Sequence, residues 1–100
     1  MNTFVEERDG KFFATLDGEM DTPAAVEVEQ ILKPLYTSEG KDVYIDCKGL
    51  EYIASSGLRI LLGILKAAKA GGSRVVLQGV NEDIMGVFKL TGFSDIFEFE

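Results

Sequence analysis

The sequence predicts an α/β fold in which helices pack on a mixed sheet of about four to five strands. Two observations support this prediction: short β-branched and aromatic runs alternate with amphipathic helical segments, and glycine-containing breaks separate them. The predicted order is β-β-α-β-α-β-α-β, with about three to four helices. Because strands that alternate with helices usually pair in parallel, we expect parallel pairing in the second half of the chain.

The strands are predicted from runs rich in β-branched and aromatic residues. Residues 3–8 and 11–16 are two such runs, and Asp9-Gly10 between them is typical of a tight hairpin turn. The chain is therefore expected to open with a β-hairpin. Later runs of the same kind predict a central strand over residues 43–47, another over 74–77 and a final strand over 93–99.

Three helices are predicted between these strands. Thr22-Pro23 has the pattern of an N-cap followed by proline at the first helical position, and Pro34 predicts a kink or an early end. The leucines and isoleucines after Gly57 form a wide apolar stripe, so the second helix is expected to be the most buried. The predicted helices run from Thr22 to about Tyr36, from Gly57 to a stop at Gly71-Gly72, and from the N-cap Asn81 to Thr91-Gly92.

Composition excludes several classes of function. One hundred residues with 46% apolar content are expected to form one domain over residues 1–100, and a net charge of −7 argues against direct binding to nucleic acid or anionic lipid. No apolar run approaches the length of a membrane span and the N-terminus lacks signal-peptide features, so a cytoplasmic protein is expected. With no histidine and one cysteine, we expect no metal, no cofactor, no catalytic residue and no enzyme activity.

Ser55 and Ser56 stand where the second helix is expected to begin. A helix start offers unpaired backbone N–H groups and the positive end of the helix dipole, so a serine there can cap the helix, carry a phosphoryl group, or do each in turn. Simple helix capping therefore remains an alternative for both serines, and support of the first helix remains one for Asp21. Cys47 is interpreted as a small buried side chain, and Met85 and Phe88 as core residues.

Four segments of the chain, taken together, resemble a known family. In order and spacing they are similar to the STAS domains of bacterial anti-sigma factor antagonists, and the resemblance covers nearly the whole chain. The segments are Gly18-Glu19-Met20-Asp21, Ile53-Ala54-Ser55-Ser56-Gly57-Leu58, Gly71-Gly72 and Val87-Phe88-Lys89-Leu90-Thr91-Gly92-Phe93.

The resemblance implies a partner switch. Unphosphorylated antagonists of this type bind an anti-sigma factor that is also a serine kinase, which frees a sigma factor; phosphorylation ends the binding and a serine phosphatase restores it. The ATP is bound by the kinase. The family's phosphoacceptor falls on Ser55, and the acidic residue beside it falls on Asp21. The expected partner-binding residues are Gly18, Glu19, Asp21, Thr22, Ala54, Ser56, Gly57, Leu58 and Arg59.

Ala54 is the main departure from the family pattern. Antagonists usually carry Asp immediately before the phosphorylated serine, and the missing carboxylate removes one acceptor and one negative charge from the loop that faces the kinase. The alternative interpretation is a STAS module that is never phosphorylated and that binds constitutively within a sensory complex or a transport system.

Overall fold

The computed structural model describes residues 1–100 and has the predicted α/β architecture, with three helices and a six-stranded mixed sheet. The strands are β1 (Asn2–Arg8), β2 (Lys11–Met20), β3 (Val43–Asp46), β4 (Leu50–Ile53), β5 (Val75–Gln78) and β6 (Glu98–Phe99). The helices are α1 (Thr22–Ile31), α2 (Ser55–Ala70) and α3 (Glu82–Thr91). None of these helices has the length and apolar character needed to cross a membrane.

The opening hairpin and the parallel pairing are both confirmed. Strands β1 and β2 pair antiparallel around Asp9 and Gly10, whose φ values of 54° and 74° suit the tight turns of β-hairpins. The remaining pairs are parallel, and the sheet has the order β1-β2-β3-β5-β6, with β4 paired to β2 outside this path.

Strand β2 is long enough to pair with two strands in succession. Its first half lies beside β3, from Phe12 opposite Val43 onward. Its last residues lie beside β4, with Met20 opposite Ile53, after a shift of register that follows Gly18. Strand β4 is one strand more than the sequence predicted. Its burial pattern is buried, exposed, exposed, buried, which lacks the alternation that identifies a strand.

One hydrophobic core joins the sheet to all three helices. Alternate residues of β2, namely Phe12, Ala14 and Leu16, face this core together with Val43 and Ile45 of β3. The three helices contribute to the same core and therefore cover this face of the sheet. Helix α2 is the most buried helix, as predicted, with six buried residues against two each in α1 and α3.

Three core predictions are confirmed. Cys47 and Phe88 are fully buried, and Met85 packs against the core from its edge. Burial raises the pKa of the Cys47 thiol to about 12, with a smaller contribution from the nearby Asp46 carboxylate. The thiol is therefore neutral and inaccessible in the folded protein.

The predicted helix boundaries need three changes. The N-cap of α1 is Asp21 rather than Thr22, because the Asp21 carboxylate accepts a hydrogen bond from the Ala24 amide at 2.9 Å. Helix α1 ends at Ile31 and a 3-10 turn follows over Lys33–Thr37, so the early end expected from Pro34 is confirmed and the extension to Tyr36 is wrong. Helix α2 starts two residues before Gly57, at Ser55.

The last segment is mostly not a strand. Helix α3 begins after the N-cap Asn81 and stops at Gly92 (φ 81°), as predicted, but a 3-10 turn over Phe93–Asp95 follows, and β6 comprises only Glu98–Phe99. Phe93 and Phe97 are both buried and their ring centroids lie 5.4 Å apart. Their four-residue spacing places both rings on one side of a helical turn. The packing of the two buried rings outweighs the β-propensity of the segment.

Candidate functional site

Two helices begin side by side at one edge of the sheet. Because β2 and β4 are parallel neighbours, their carboxyl ends meet there, and each strand leads directly into a helix. The Ala54 amide donates a hydrogen bond of 2.8 Å to the Met20 carbonyl. The structure thus brings together the two segments that the sequence singled out, residues 18–22 and residues 54–59.

Asp21 caps the first of these helix starts, that of α1. This residue has an extended backbone (φ −77°, ψ 179°), and its carboxylate accepts from the Ala24 amide while its carbonyl accepts from the Ala25 amide at 2.9 Å. Such bonds satisfy backbone donors that a helix start otherwise leaves unpaired. The structure therefore bears out the interpretation that Asp21 supports the start of the first helix, and the exposed carboxylate also places a negative charge at this edge.

The second helix start has no capping side chain. Ala54 occupies the N-cap position of α2 with an extended backbone (φ −80°, ψ 167°), and no side chain accepts from the first turn. Ser55 and Ser56 are the first two helical residues, whereas a capping hydroxyl must stand on the residue before the helix. The interpretation of these serines as helix caps is therefore wrong.

The two serines differ in their access to solvent. Ser55 is exposed. The Ser56 hydroxyl is buried and has no hydrogen-bond partner. A hydroxyl that a second protein or a kinase can reach at this helix start thus belongs to Ser55.

Gly57 and Leu58 hold the start of α2 against the sheet. A β-carbon at Gly57 would lie 2.6 Å from the Met20 sulfur and 2.8 Å from Cγ1 of Ile53. The absence of a side chain at Gly57 lets the helix approach the ends of β2 and β4 this closely. Leu58 is half-buried and packs against the core. Both residues thus position the exposed Ser55 rather than extend far into solvent.

The surface around the start of α1 is acidic. A depression of about 490 Å³ lies at the ends of β2 and β4 and the start of α1, and Gly18 (φ 120°) forms part of its wall. Its acidic lining residues are Glu19, Asp21, Glu27 and Glu51. Sequence reasoning found Glu19 and Asp21 and missed Glu51, because Glu51 belongs to the unpredicted strand β4.

A second, smaller groove lies between α1 and α2. Its volume is about 180 Å³, and its lining includes Thr22, Val26 and Glu29 from α1 and Ser56 and Arg59 from α2. Val26 is 66% exposed although it is apolar. Val26 and Glu29 were not singled out from sequence, although their four- and seven-residue spacing from Thr22 places them along one side of a helix. Arg59 is the only basic side chain that lines either depression.

The site contains no recognisable metal-binding cluster. No group of three or more His, Cys, Asp or Glu side chains is arranged to hold a metal ion anywhere in the structure. The acidic residues of the depression are therefore best treated as a charged surface.

Sequence comparison adds family membership to this geometry. The sequence model of the STAS domain family matches residues 3–100. The chain belongs to the STAS domain family. This STAS domain is 30% identical to the anti-sigma-B factor antagonist of Staphylococcus epidermidis over 98 residues, which cover 96% of the chain and 91% of that protein. It is 27% identical to the anti-sigma-B factor antagonist of Staphylococcus aureus over 96 residues, covering 96% and 89%.

Solved structures agree with this membership. The STAS domain is similar to an anti-sigma factor antagonist from Mycobacterium paratuberculosis, with a TM-score of 0.81, 27% identity and coverage of 98% of this chain and 83% of that one. It also shares the fold of the anti-sigma factor antagonist SpoIIAA. The TM-score is 0.77 for the unphosphorylated form (17% identity; coverage 99% and 87%) and 0.75 for the phosphorylated form from Bacillus (19% identity; coverage 99% and 91%).

Proposed function

We propose that this protein is an anti-sigma factor antagonist that binds an anti-sigma factor serine kinase while Ser55 is unphosphorylated. Binding frees the sigma factor, phosphorylation of Ser55 by the kinase ends the binding, and a serine phosphatase restores it. The observation that carries the proposal is the exposed Ser55 hydroxyl at an uncapped helix start, in a family whose relatives are named as such antagonists.

The contact surface in this proposal is the edge where α1 and α2 begin. It comprises the segment from Gly18 to Thr22 and the first turn of α2, with Ala54, Ser55 and Arg59 facing the partner. The acidic depression beside it supplies negative charge, so the matching surface of the kinase is basic. In this proposal the kinase binds the ATP and catalyses the phosphorylation, and this chain binds the kinase without catalysing a reaction.

Phosphorylation of Ser55 lowers the affinity for the partner and leaves the fold of this domain intact. A phosphoryl group on Ser55 adds a charge of about −1.5 to −2, which the positive end of α2 favours by about 0.3–1 kcal/mol. In the complex, the same group must be desolvated in a contact that fits a small hydroxyl. A loss of about 1.4 kcal/mol in the contact lowers affinity tenfold, which suffices for a switch.

SpoIIAA gives a parallel for this cycle, since it has the same fold and is known in unphosphorylated and phosphorylated forms. Ser55 is exposed, so a modifying enzyme can reach its hydroxyl, whereas the Ser56 hydroxyl is buried. Ser55 is therefore the phosphoacceptor in this proposal.

The proposal is tested by capture of partners on three baits: wild type, Ser55→Asp and Ser55→Asn. Asn matches Asp in shape without its charge, so it separates an electrostatic effect from a steric one. We expect an ATP-binding anti-sigma factor kinase to be captured by wild type and Ser55→Asn and to be lost with Ser55→Asp. A kinase that bound all three baits equally would contradict the charge switch.

A second candidate function is a constitutive binding module of a sensory complex or a transport system. Ala54 favours it, because the kinase-facing loop lacks the carboxylate usual in phosphorylated antagonists. This candidate predicts sensory or transport subunits on all three baits and no phosphate on Ser55 in protein purified from its own cells.

A further inference from the structure

Arg59 lies one helical turn after Ser55 and has no ionic partner. The four ion pairs of the structure are Arg8–Glu6, Lys41–Glu7, Lys48–Asp46 and Arg74–Glu98, and none includes Arg59. Arg59 is exposed and lines the groove between α1 and α2. Its guanidinium group is therefore free to bind a new anion.

Helix geometry puts Ser55 within reach of the Arg59 side chain. Ser55 and Arg59 are separated by four residues within α2, so they are neighbours on its surface with β-carbons about 6 Å apart. Helical side chains also lean toward the N-terminus of their helix, which carries the long arginine side chain back over the preceding turn. A phosphoryl group on Ser55 thus falls within reach of the Arg59 guanidinium.

The acidic side chains at this end of the sheet favour such a partner. Asp21 lies at the neighbouring helix start, and Glu19 and Glu51 line the depression beside it. Glu29 faces the groove from α1. These carboxylates disfavour a further negative charge at this end of the sheet, and Arg59 is the only basic side chain among the lining residues of the two depressions.

We infer that Arg59 is the internal counter-ion of phosphorylated Ser55. The guanidinium group donates hydrogen bonds to the phosphoryl oxygens and offsets the acidic surroundings. In the unphosphorylated protein Arg59 has no ionic partner within this chain, so it is available to contact the kinase beside Ser55. Phosphorylation therefore adds a charge to the contact surface and also withdraws a basic side chain from it. This inference rests on the proposed modification of Ser55.

The test needs neither kinase nor partner. Phosphoserine is incorporated at position 55 during translation, and the second ionisation of its phosphate is followed by ³¹P NMR in wild type, Arg59→Gln and Lys66→Gln. Lys66 is an exposed residue of the same helix, seven residues and about 10 Å further along, so its replacement matches the change in net charge. Arg59→Lys retains a cation without the planar guanidinium fork.

We expect the phosphate pKa to be lower in wild type than in Arg59→Gln by about half a unit, because a cation nearby favours the doubly charged form. Lys66→Gln should resemble wild type, and Arg59→Lys should lie between wild type and Arg59→Gln. Equal values in all four proteins would overturn the inference. Equal shifts in Arg59→Gln and Lys66→Gln would also overturn it, since they would report net charge alone.

Thermal unfolding provides a second readout. Arg59→Gln should leave the melting temperature of the unphosphorylated protein unchanged and should lower that of the phosphorylated protein, which is the coupling that a direct contact produces. An equal effect with and without phosphate would overturn the pairing. This test and a test of the proposed function can fail independently. If the Arg59→Gln variant phosphorylated at Ser55 still released its partner, the phosphorylation switch would stand even without a shift in the phosphate pKa.

Discussion

The Ala54 amide donates to the Met20 carbonyl at 2.8 Å, and this bond holds the start of helix α2 beside the start of α1. The two starts are built differently. The Asp21 carboxylate caps α1, whereas Ala54, at the N-cap position of α2, has no side chain that can accept a hydrogen bond. Ser55 thus stands at an uncapped helix start next to a capped one.

Ala54→Asp is expected to stabilise the protein. Asp is among the preferred N-cap residues and Ala among the poorest, so the replacement should raise the free energy of unfolding by about 1 kcal/mol. Ala54→Asn is the matched control, because it caps the helix without adding charge. Urea unfolding of the three proteins measures the effect. Loss of stability in both variants would contradict the N-cap position assigned to residue 54.

Gly57→Ala is expected to destabilise the protein. The new β-carbon would lie 2.6 Å from the Met20 sulfur and 2.8 Å from Cγ1 of Ile53, and both neighbours are buried. Overpacking of this kind typically costs about 1–3 kcal/mol, which exceeds the gain in helix propensity.

Gly86→Ala is the matched control for this change. Gly86 also lies within a helix, but a β-carbon there meets nothing within 4 Å. Its replacement should stabilise the protein by about 0.5–1 kcal/mol through helix propensity. Thermal unfolding of both variants distinguishes the two environments, and equal shifts of the same sign would show that α2 does not approach the sheet as closely as described.

The two adjacent serines should respond differently to a carboxylate. Ser55→Asp places the charge in solvent at a helix N-terminus and should leave the free energy of unfolding within about 0.5 kcal/mol of wild type. Ser56→Asp places it where the hydroxyl is buried without a partner, and it should cost about 2 kcal/mol or more. Chemical denaturation measures both. Equal tolerance at the two positions would remove the structural reason for assigning phosphate to Ser55.

The Cys47 thiol should make stability fall at alkaline pH. Its pKa is about 12 in the folded protein and about 8.5 in an unfolded chain. The contribution is therefore fully present below pH 8.5 and declines as the pH rises toward 12, by about 1.4 kcal/mol per pH unit.

Cys47→Ala isolates this effect, because the cost of its cavity does not depend on pH and the other titrating groups are common to both proteins. The stability advantage of wild type over Cys47→Ala should shrink by about 1.6 kcal/mol between pH 8.5 and 10. Unfolding in urea at several pH values measures it. A constant advantage across this range would indicate that the thiol is not held neutral by burial.

Most of the fold was predictable because it depends on strong local patterns. The hairpin turn at Asp9-Gly10, the apolar stripe of α2 and the stop at Gly92 each follow from short-range preferences, and all are present. Strand β4 was missed because only its first and last residues, Leu50 and Ile53, are buried. Its pairing with β2 is a long-range contact that no local pattern reveals.

The candidate site was predictable in location but less so in detail. Ser55, Asp21 and Arg59 were identified from sequence, and the structure places them around one edge of the sheet. Glu51 was missed together with β4. Helix capping was predicted for Thr22 and left as an alternative for the two serines, whereas the N-cap positions are Asp21 and Ala54, because a helix boundary shifts easily by one or two residues.

The parallel contact between the ends of β2 and β4 has a consequence for when the protein can be recognised. Residues 20 and 54 are far apart in the chain, so the combined surface of Asp21 and Ser55 does not exist until both strands have paired. Nascent or unfolded copies present the serine without its acidic neighbour. An enzyme or partner that requires both segments therefore binds only folded molecules and does not bind nascent or unfolded ones.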